Sequence, residues 1–415
     1  MSPASRLAAR IRRRFLDVHA RGFASFEPED FGHPGPARGR ALVAHEIAPL
    51  MLPPGAPVPV RHNNLGEAIA MRDALLGLGL AVDAISRERT RFRPRARYDL
   101  FVGTRQTFTR IAATLPPGCI RVVHLDTAHW LANNAAVLAR EVALRDRRGV
   151  ALDSHKFIQI NRAIETADYA TLLGNDWDFA TYAFAGKPVF QVPNPSAVSY
   201  PSPEGKDFAA ARTRFLWIGS QGFVHKGLDL VLEAFARMPD LHLTVCAPLD
   251  EEPGFVATFR RELYGTPNIE TLGWVDIAGP DFAALLQRTV ALVYPSAAEA
   301  CCGAVVNAMQ AGLIPLASRE SGVDIDESFG ATVGGSVEAV EAAVRRLAAR
   351  PPAELAAMAR RAWSEARATY TPERYRAAFG AAIARILAEH PAPGFAGFVP
   401  MPSPDPARRA ALRAV

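Results

Sequence analysis

Short β-branched runs alternate with helix-forming segments along this chain, and the alternation occurs twice. The first series is ALVAHEI (41–47), AVDAIS (81–86), YDLFVG (98–103), CIRVVHL (119–125), YATLLGN (169–175) and PVFQVP (188–193). The second is FLWIGS (215–220), HLTVCAP (242–248), IETLGWV (269–275), VALVYPS (290–296), IPLAS (314–318) and ATVGG (331–335). Helix-like segments such as GEAIAMRDALLGLG (66–79), HKFIQINRAIETA (155–167), GLDLVLEAFARM (227–238) and GPDFAALLQRT (279–289) lie between them. Strands that are apolar on both faces and separated by helices form parallel sheets covered on both sides. The Pro-rich NPSAVSYPSPEGKD (194–207) joins the two series and reads as a linker. The expectation is an α/β chain of two doubly wound parallel-sheet domains. A first domain spans 39–195, a linker 196–208 and a second domain 209–370. A helix over 371–391 is expected to pack back on the first domain, before a Pro-rich tail at 392–415.

Charge narrows the partners. The net charge is +5, carried mostly by arginine spread along the chain, which favours anionic ligands or anionic lipid. No nucleic-acid motif and no basic–aromatic interleaving accompanies it, so no nucleic acid is expected. Residues 1–38 form a basic leader in which Arg6, Arg10, Arg12, Arg13 and Arg14 alternate with Leu7, Ile11, Phe15 and Leu16. It lacks the apolar core and cleavage site of a signal peptide. At helical spacing Leu7, Ile11 and Phe15 share a face, which suits a peripheral contact with an anionic membrane. No run approaches a membrane span. Cys119, Cys246, Cys301 and Cys302 form no CxxC pair and read as reduced cytoplasmic thiols with no zinc site.

The stretch PSAAEACCGAVVNAMQAGLIPLAS (295–318) follows a short apolar strand and runs through a loop into a small-residue helix ended by Gly312. Such a strand–loop–helix unit is where a doubly wound sheet takes its ligand. Glu299 stands in the loop and can accept from vicinal hydroxyls. The N–H groups near Cys302, Gly303 and Ala304 open the helix and can hold an anion. In the first unit of the same domain, the loop from Gly219 to Lys226 leads into KGLDL. Lys226 at a helix start favours an anion, and Gly222 and Gly227 allow close backbone approach.

Three pieces, FLWIGSQGFVHKGLDLVLEAF (215–235), HLTVCAP with IETLGWV, and YPSAAEACCGAVVNAMQAGLIPLAS (294–318), together resemble the GT-B glycosyltransferases, of the retaining family 4 type. They cover roughly 100 residues in matching order and spacing; the first half is similar in architecture only. The resemblance implies two Rossmann-like domains facing a cleft and a nucleotide-sugar donor used without a metal or other cofactor. It implies that Lys226 neutralises the diphosphate, with Gly219, Gln221, Gly222 and His225 in the same donor loop. Glu299 would contact the transferred sugar. A second glutamate, expected to hold the ribose, is replaced by Asn307. The family arginine a few residues before the lysine is absent from Ser220–His225, leaving His225, Arg61 or Arg105 as substitute cations. His124, ending a strand of the first half, matches a histidine that faces the reacting sugar. Asp126 and His129 follow on the acceptor side. Gly66 resembles the glycine loop near the donor phosphates, beside Asn63 and Asn64. DWD (176–178) resembles the metal motif of a different glycosyltransferase fold, which the two-domain pattern disfavours.

The function so implied is a cytoplasmic hexosyltransferase, peripheral on the membrane, that moves a sugar to a glycan or lipid-linked hydroxyl acceptor in cell-surface polysaccharide or glycolipid synthesis. Two alternatives stay open. One is another GT-B enzyme, a nucleotide-sugar epimerase or hydrolase. The other is a non-catalytic nucleotide-sugar-binding protein, suggested by Asn307 and the missing arginine.

Overall fold

The structure, a computed structural model, describes residues 29–31, 35–52, 63–89, 92–94, 96–153 and 156–390. The basic leader up to residue 28, the loop holding Arg61, and the tail beyond 390 lie outside the described residues. The first sheet holds β1 (Glu29–Asp30), β2 (Gly39–His45), β3 (Leu80–Ser86), β4 (Leu100–Thr104), β5 (Ile120–Leu125), β6 (Tyr169–Leu172) and β7 (Val189–Gln191). Its order is β1-β3-β2-β4-β5-β6-β7, parallel except for the short edge strand β1. The second sheet holds β8 (Arg214–Ile218), β9 (His242–Cys246), β10 (Ile269–Thr271), β11 (Ala291–Tyr294), β12 (Ile314–Ala317) and β13 (Ala331–Thr332). Its order is β10-β9-β8-β11-β12-β13, all parallel. These are two doubly wound sheets, and every strand read from the sequence is present.

The helices that matter for the site are α1 (Asn64–Gly77), α2 (Trp130–Arg148), α3 (Asp176–Tyr182), α4 (Leu228–Ala236), α5 (Gly303–Gln310), α6 (Val337–Ala348), α7 (Pro352–Thr369) and α8 (Pro372–Ala388). In the second sheet the order reverses between β8 and β11, so the loops after these two strands open side by side. Beneath them the fully buried rings of Trp217 and Tyr294 stack 5.8 Å apart and form a rigid floor.

One helix differs from the sequence expectation. Of the segment read as helix, the described part 156–167 is helical only over Ala163–Thr166, while the long α2 lies upstream, in a stretch to which no helix was assigned. The cause is side-chain competition for the backbone. Asn134 accepts from Ile158 N–H at 2.8 Å and donates to the Ile158 carbonyl at 2.8 Å, and Asn133 donates to the Lys156 carbonyl at 2.8 Å. These bonds hold the segment against α2 without helical structure up to residue 162.

The chain crosses between its halves more than once. α8 packs along α1, and its Tyr375 meets His124 edge-on. From α2, Arg147 pairs with Asp229 at 2.5 Å, and Arg148 with Glu233 at 3.0 Å and Glu262 at 2.7 Å. Arg140 donates to the Pro295 carbonyl at 2.5 Å. Asn175 donates to the Arg319 carbonyl at 3.0 Å and Asn194 to that of Cys301 at 2.5 Å. α2 of the first domain is thus seated against α4, Glu262 and the Pro295 loop of the second domain.

Candidate functional site

The loop after β8 turns sharply. Gly222 has φ +91 and Gly227 has φ +74, a left-handed backbone that glycine adopts without cost. A Cβ on Gly227 would come within 2.7 Å of the Pro295 side chain, so only glycine lets the two loops meet. The buried Glu252 carboxylate accepts from the N–H of Gly222, and from that of Phe223 at 3.4 Å, which fixes the turn. Lys226 is buried and donates to Ser220 Oγ at 2.7 Å. Burial first, and then the nearby Lys156, pull its ammonium down to about 8, against the opposing pull of Glu299, Cys302 and Glu252.

His225 is a correction to its expected service as a substitute cation. Burial pushes it down to about 4, so the ring is neutral near pH 7. Its Nε2 holds the Ala298 carbonyl at 2.5 Å, and with Ala297 N–H bonding the His225 carbonyl at 2.8 Å it ties the two loops together. The loop after β11 carries Glu299, whose N–H donates to the Glu320 carbonyl at 2.8 Å. Cys301 sits at φ +48, the one described non-glycine residue with positive φ, and the kink turns the chain into α5. Cys302 N–H donates to the Ser321 carbonyl at 2.8 Å, so the helix-start donors for an anion are those of Gly303 and Ala304. All four cysteines are buried thiols.

Around Lys226 the structure therefore gathers the charges of Glu299, Glu252 and Lys156 and the Cys302 thiol, with His225 beside it in the same loop and Gly222 under the Lys156 stem. Asn307 lies one helix turn deeper and is bound on both ends. Its Oδ1 accepts from Ala197 N–H at 3.0 Å and its Nδ2 donates to Asn63 Oδ1 at 3.1 Å. Asn63 also lies against Gly303, where an added Cβ would stand 3.1 Å from its amide nitrogen. Gly66 and Asn64 belong to the first turn of α1 behind it.

Other expected residues have different neighbours. Asp126 is paired with Arg105 and, at 3.9 Å, with Arg87, so Arg105 is engaged away from the Lys226 loop. His129 caps α2, accepting from Leu131 N–H at 3.4 Å, and packs against Tyr182 and Phe184. Asp178 of DWD is wholly buried and closes the capping box of α3 with Asn175, so it is no partner for Asp176 in a metal pair.

His124 is fully enclosed. It bonds Thr171 Oγ1 through Nδ1 at 2.8 Å and Glu67 Oε2 through Nε2 at 3.3 Å, while His45 Nε2 stands 3.5 Å from the same oxygen. These three side chains, from β2, α1 and β5, are the one described His/Asp/Glu/Cys group close enough to hold a metal ion. Imidazole N–H donation to Glu67 accounts for the same spacing. Burial alone would raise the Glu67 carboxyl, but the bonds from His124 and His45 outweigh it and hold it well below the usual carboxylate range.

Sequence reading missed three residues that shape this site: Glu252, Arg140 and Lys156. The stem of Lys156, from the first domain, lies over Gly222, where a Cβ would stand 2.7 Å from Lys156 Cε. One signal was available: only Lys156, Lys187, Lys206 and Lys226 are lysines in this arginine-rich chain, and two of them converge here.

Residues 212–350 match the family described as Glycosyl transferases group 1. A search of curated protein sequences finds no match. Among solved structures the chain is similar to sucrose-phosphate synthase from Thermosynechococcus elongatus, with TM-score 0.59 and 15% identity over 84% of this chain and 99% of that one. It is also similar to HepE of Anabaena in complex with UDP-glucose, with TM-score 0.52 and 13% identity over 84% and 100% of the two chains. At such identities the likeness speaks for the fold. The chain has the GT-B fold, and its second domain, over residues 212–350, is related to the glycosyl transferases of group 1.

Proposed function

We propose that this protein is a retaining glycosyltransferase that moves a sugar from a nucleotide-sugar donor to an acceptor hydroxyl in polysaccharide or glycolipid synthesis. The observation that carries the reading is the buried Lys226 ammonium, set beside Glu299 and the start of α5 at the reversal point of the second sheet. A diphosphate lying there would meet one ammonium and the N–H groups at the helix start, and Glu299 would accept from the sugar hydroxyls. The HepE structure with UDP-glucose supports a nucleotide sugar as the donor class. In this reading the acceptor oxygen bonds to the anomeric carbon on the face that the diphosphate leaves. The acceptor proton passes to a diphosphate oxygen, so no protein nucleophile is required, and no metal. The two domains exclude water from the donor. His124, enclosed by Glu67, Thr171 and Tyr375, is read as positioning the end of β5.

The deciding experiment screens nucleoside diphosphates and nucleotide sugars by thermal shift, then assays transfer in the presence of a chelator. A true ligand at 100 times its Kd stabilises the protein by about 2.7 kcal/mol. Product of inverted anomeric configuration would refute retention, and absence of any stabilising nucleotide would refute the reading. A second reading, a nucleotide-sugar-binding protein without transfer, is favoured by Asn307, whose amide is already spent on Asn63 and Ala197. It is distinguished by binding without turnover.

The acceptor in this reading is lipid-linked and met at the cytoplasmic membrane face. No helix among the described residues is long and apolar enough to cross a membrane. The basic leader would supply a peripheral contact, with Leu131, Leu138 and Val142 exposed along one face of α2 as a further apolar contribution. The full chain is expected to float with anionic vesicles and to be released by salt. A chain lacking residues 5–16 that floats equally well would remove the leader from the account.

A further inference from the structure

We infer that Lys156 of the first domain and Lys226 of the second form one split anion site, which clamps the donor diphosphate across the domain interface. The inference rests on the nucleotide-sugar reading and adds to it a residue from the opposite domain.

Four observations converge. The stem of Lys156 lies over the Gly222 turn, so closely that a Cβ on Gly222 would collide with it. Gly222 belongs to the loop that carries Lys226, and the Lys226 backbone N–H closes that turn on the Gly222 carbonyl at 2.9 Å. The two ammonium groups feel one another: Lys156 is the strongest charged influence on Lys226 and also acts on His225. Lastly, Lys156 is held in position, because its carbonyl accepts from Asn133 of α2 at 2.8 Å and the next turn of chain is pinned by Asn134.

Two like charges brought together at a partly buried site repel, and the arrangement is useful when an anion arrives between them. A diphosphate carries about two negative charges, which one lysine does not neutralise. His225 is neutral and bonded to a carbonyl, and Arg105 is engaged with Asp126, so neither completes the site. Lysine suits the task because its compact ammonium carries three rotatable donors. Since each domain brings one cation, the anion binds fully only when the domains are together. Donor binding and closure are then the same event.

The test is calorimetric titration of wild type, Lys156→Met, Lys156→Arg and Lys226→Met with UDP and with inorganic pyrophosphate. Lys156→Met is expected to bind UDP about tenfold or more weakly, the worth of one hydrogen bond to a charged group. Lys156→Arg recovers part of the loss, and the salt dependence of binding becomes shallower in Lys156→Met. A packing role would leave one readout unmoved: with the neighbouring charge gone, the pH at which UDP binding fails should rise in Lys156→Met, because Lys226 then keeps its proton longer. Unchanged UDP affinity and pH profile in a folded Lys156→Met overturn the clamp and leave the glycosyltransferase reading standing. Lys156-dependent binding of pyrophosphate with no binding of any nucleoside diphosphate sustains the clamp and overturns that reading. A wild-type protein that binds neither probe overturns both.

Discussion

Replacing Lys226 by alanine is expected to lower sugar transfer by at least ~100-fold while the protein stays folded. The ammonium is buried, so it acts where water screens it little, and removing a charge-stabilising group from such a site costs about two to three orders of magnitude. The loss should fall mainly on kcat, because charge on the diphosphate grows as the glycosidic bond breaks. The same lysine sets a pH dependence. Burial, with Lys156 next in weight, lowers it to about 8, so it is charged below that pH and neutral above. Nucleoside diphosphate binding should therefore be steady up to pH 7 and weaken as pH rises through 8 to 9, by at most about tenfold per unit for one proton. Above pH 8 binding should draw a proton into the complex, since the phosphates favour the charged amine. Titration in buffers of different ionisation enthalpy measures that proton directly. Near-normal turnover of a folded Lys226→Ala, or affinity flat from pH 7 to 9, would take the diphosphate away from this loop.

The strands and the second-domain loops could be read from the sequence because their signals are local. FLWIGS and VALVYPS are short apolar runs ended by Gly or Pro, and the HKG turn announces itself within three residues. What could not be read is long-range. Asn307 meets Asn63 across 244 positions of sequence, and no local pattern says that its amide will be spent on the other domain. Lys156 stands in a stretch with helical periodicity, and its stem reaches the Gly222 turn because Asn133 and Asn134 hold that stretch against α2 in place of a helix. The helix α2 was hidden for a related reason. Its buried face is Asn133, Val137, Arg140 and Leu144, half of it polar, while Leu131, Leu138 and Val142 face outward. A helix that binds another domain through polar side chains carries no clean apolar stripe. His124 shows the reverse case. Its place at a strand end was visible, but its enclosure by Glu67 and Tyr375 depends on α1 and on α8, which returns from the far end of the chain.

That enclosure yields the other large expected effect. Glu67→Ala should lower the midpoint of thermal unfolding by roughly 10 °C. Glu67 is 3% exposed, and one of its oxygens faces the Nε2 atoms of both His45 and His124. Deleting the carboxylate leaves two buried imidazole donors without an acceptor, at ~1–3 kcal/mol each, and a cavity beside Tyr375. For a domain of this size each kcal/mol moves the midpoint by about 2–4 °C. Glu67→Gln keeps an oxygen at the same place but loses the charge, so it should fall between wild type and Glu67→Ala. The order separates two accounts of the cluster. If hydrogen bonds hold it, a chelator changes nothing in the wild type and the three proteins rank as stated. If a divalent ion holds it, prolonged chelation should itself destabilise the wild type by a similar amount, and chelated wild type should converge on Glu67→Gln. In either case the damage should spread to α8, because Tyr375 packs on His124 and α8 packs along α1. Hydrogen exchange should therefore accelerate in Pro372–Ala388 and leave β8 to β13 protected. Protection lost uniformly over both sheets would mean that the cluster supports the whole molecule and not the first domain with its returning helix.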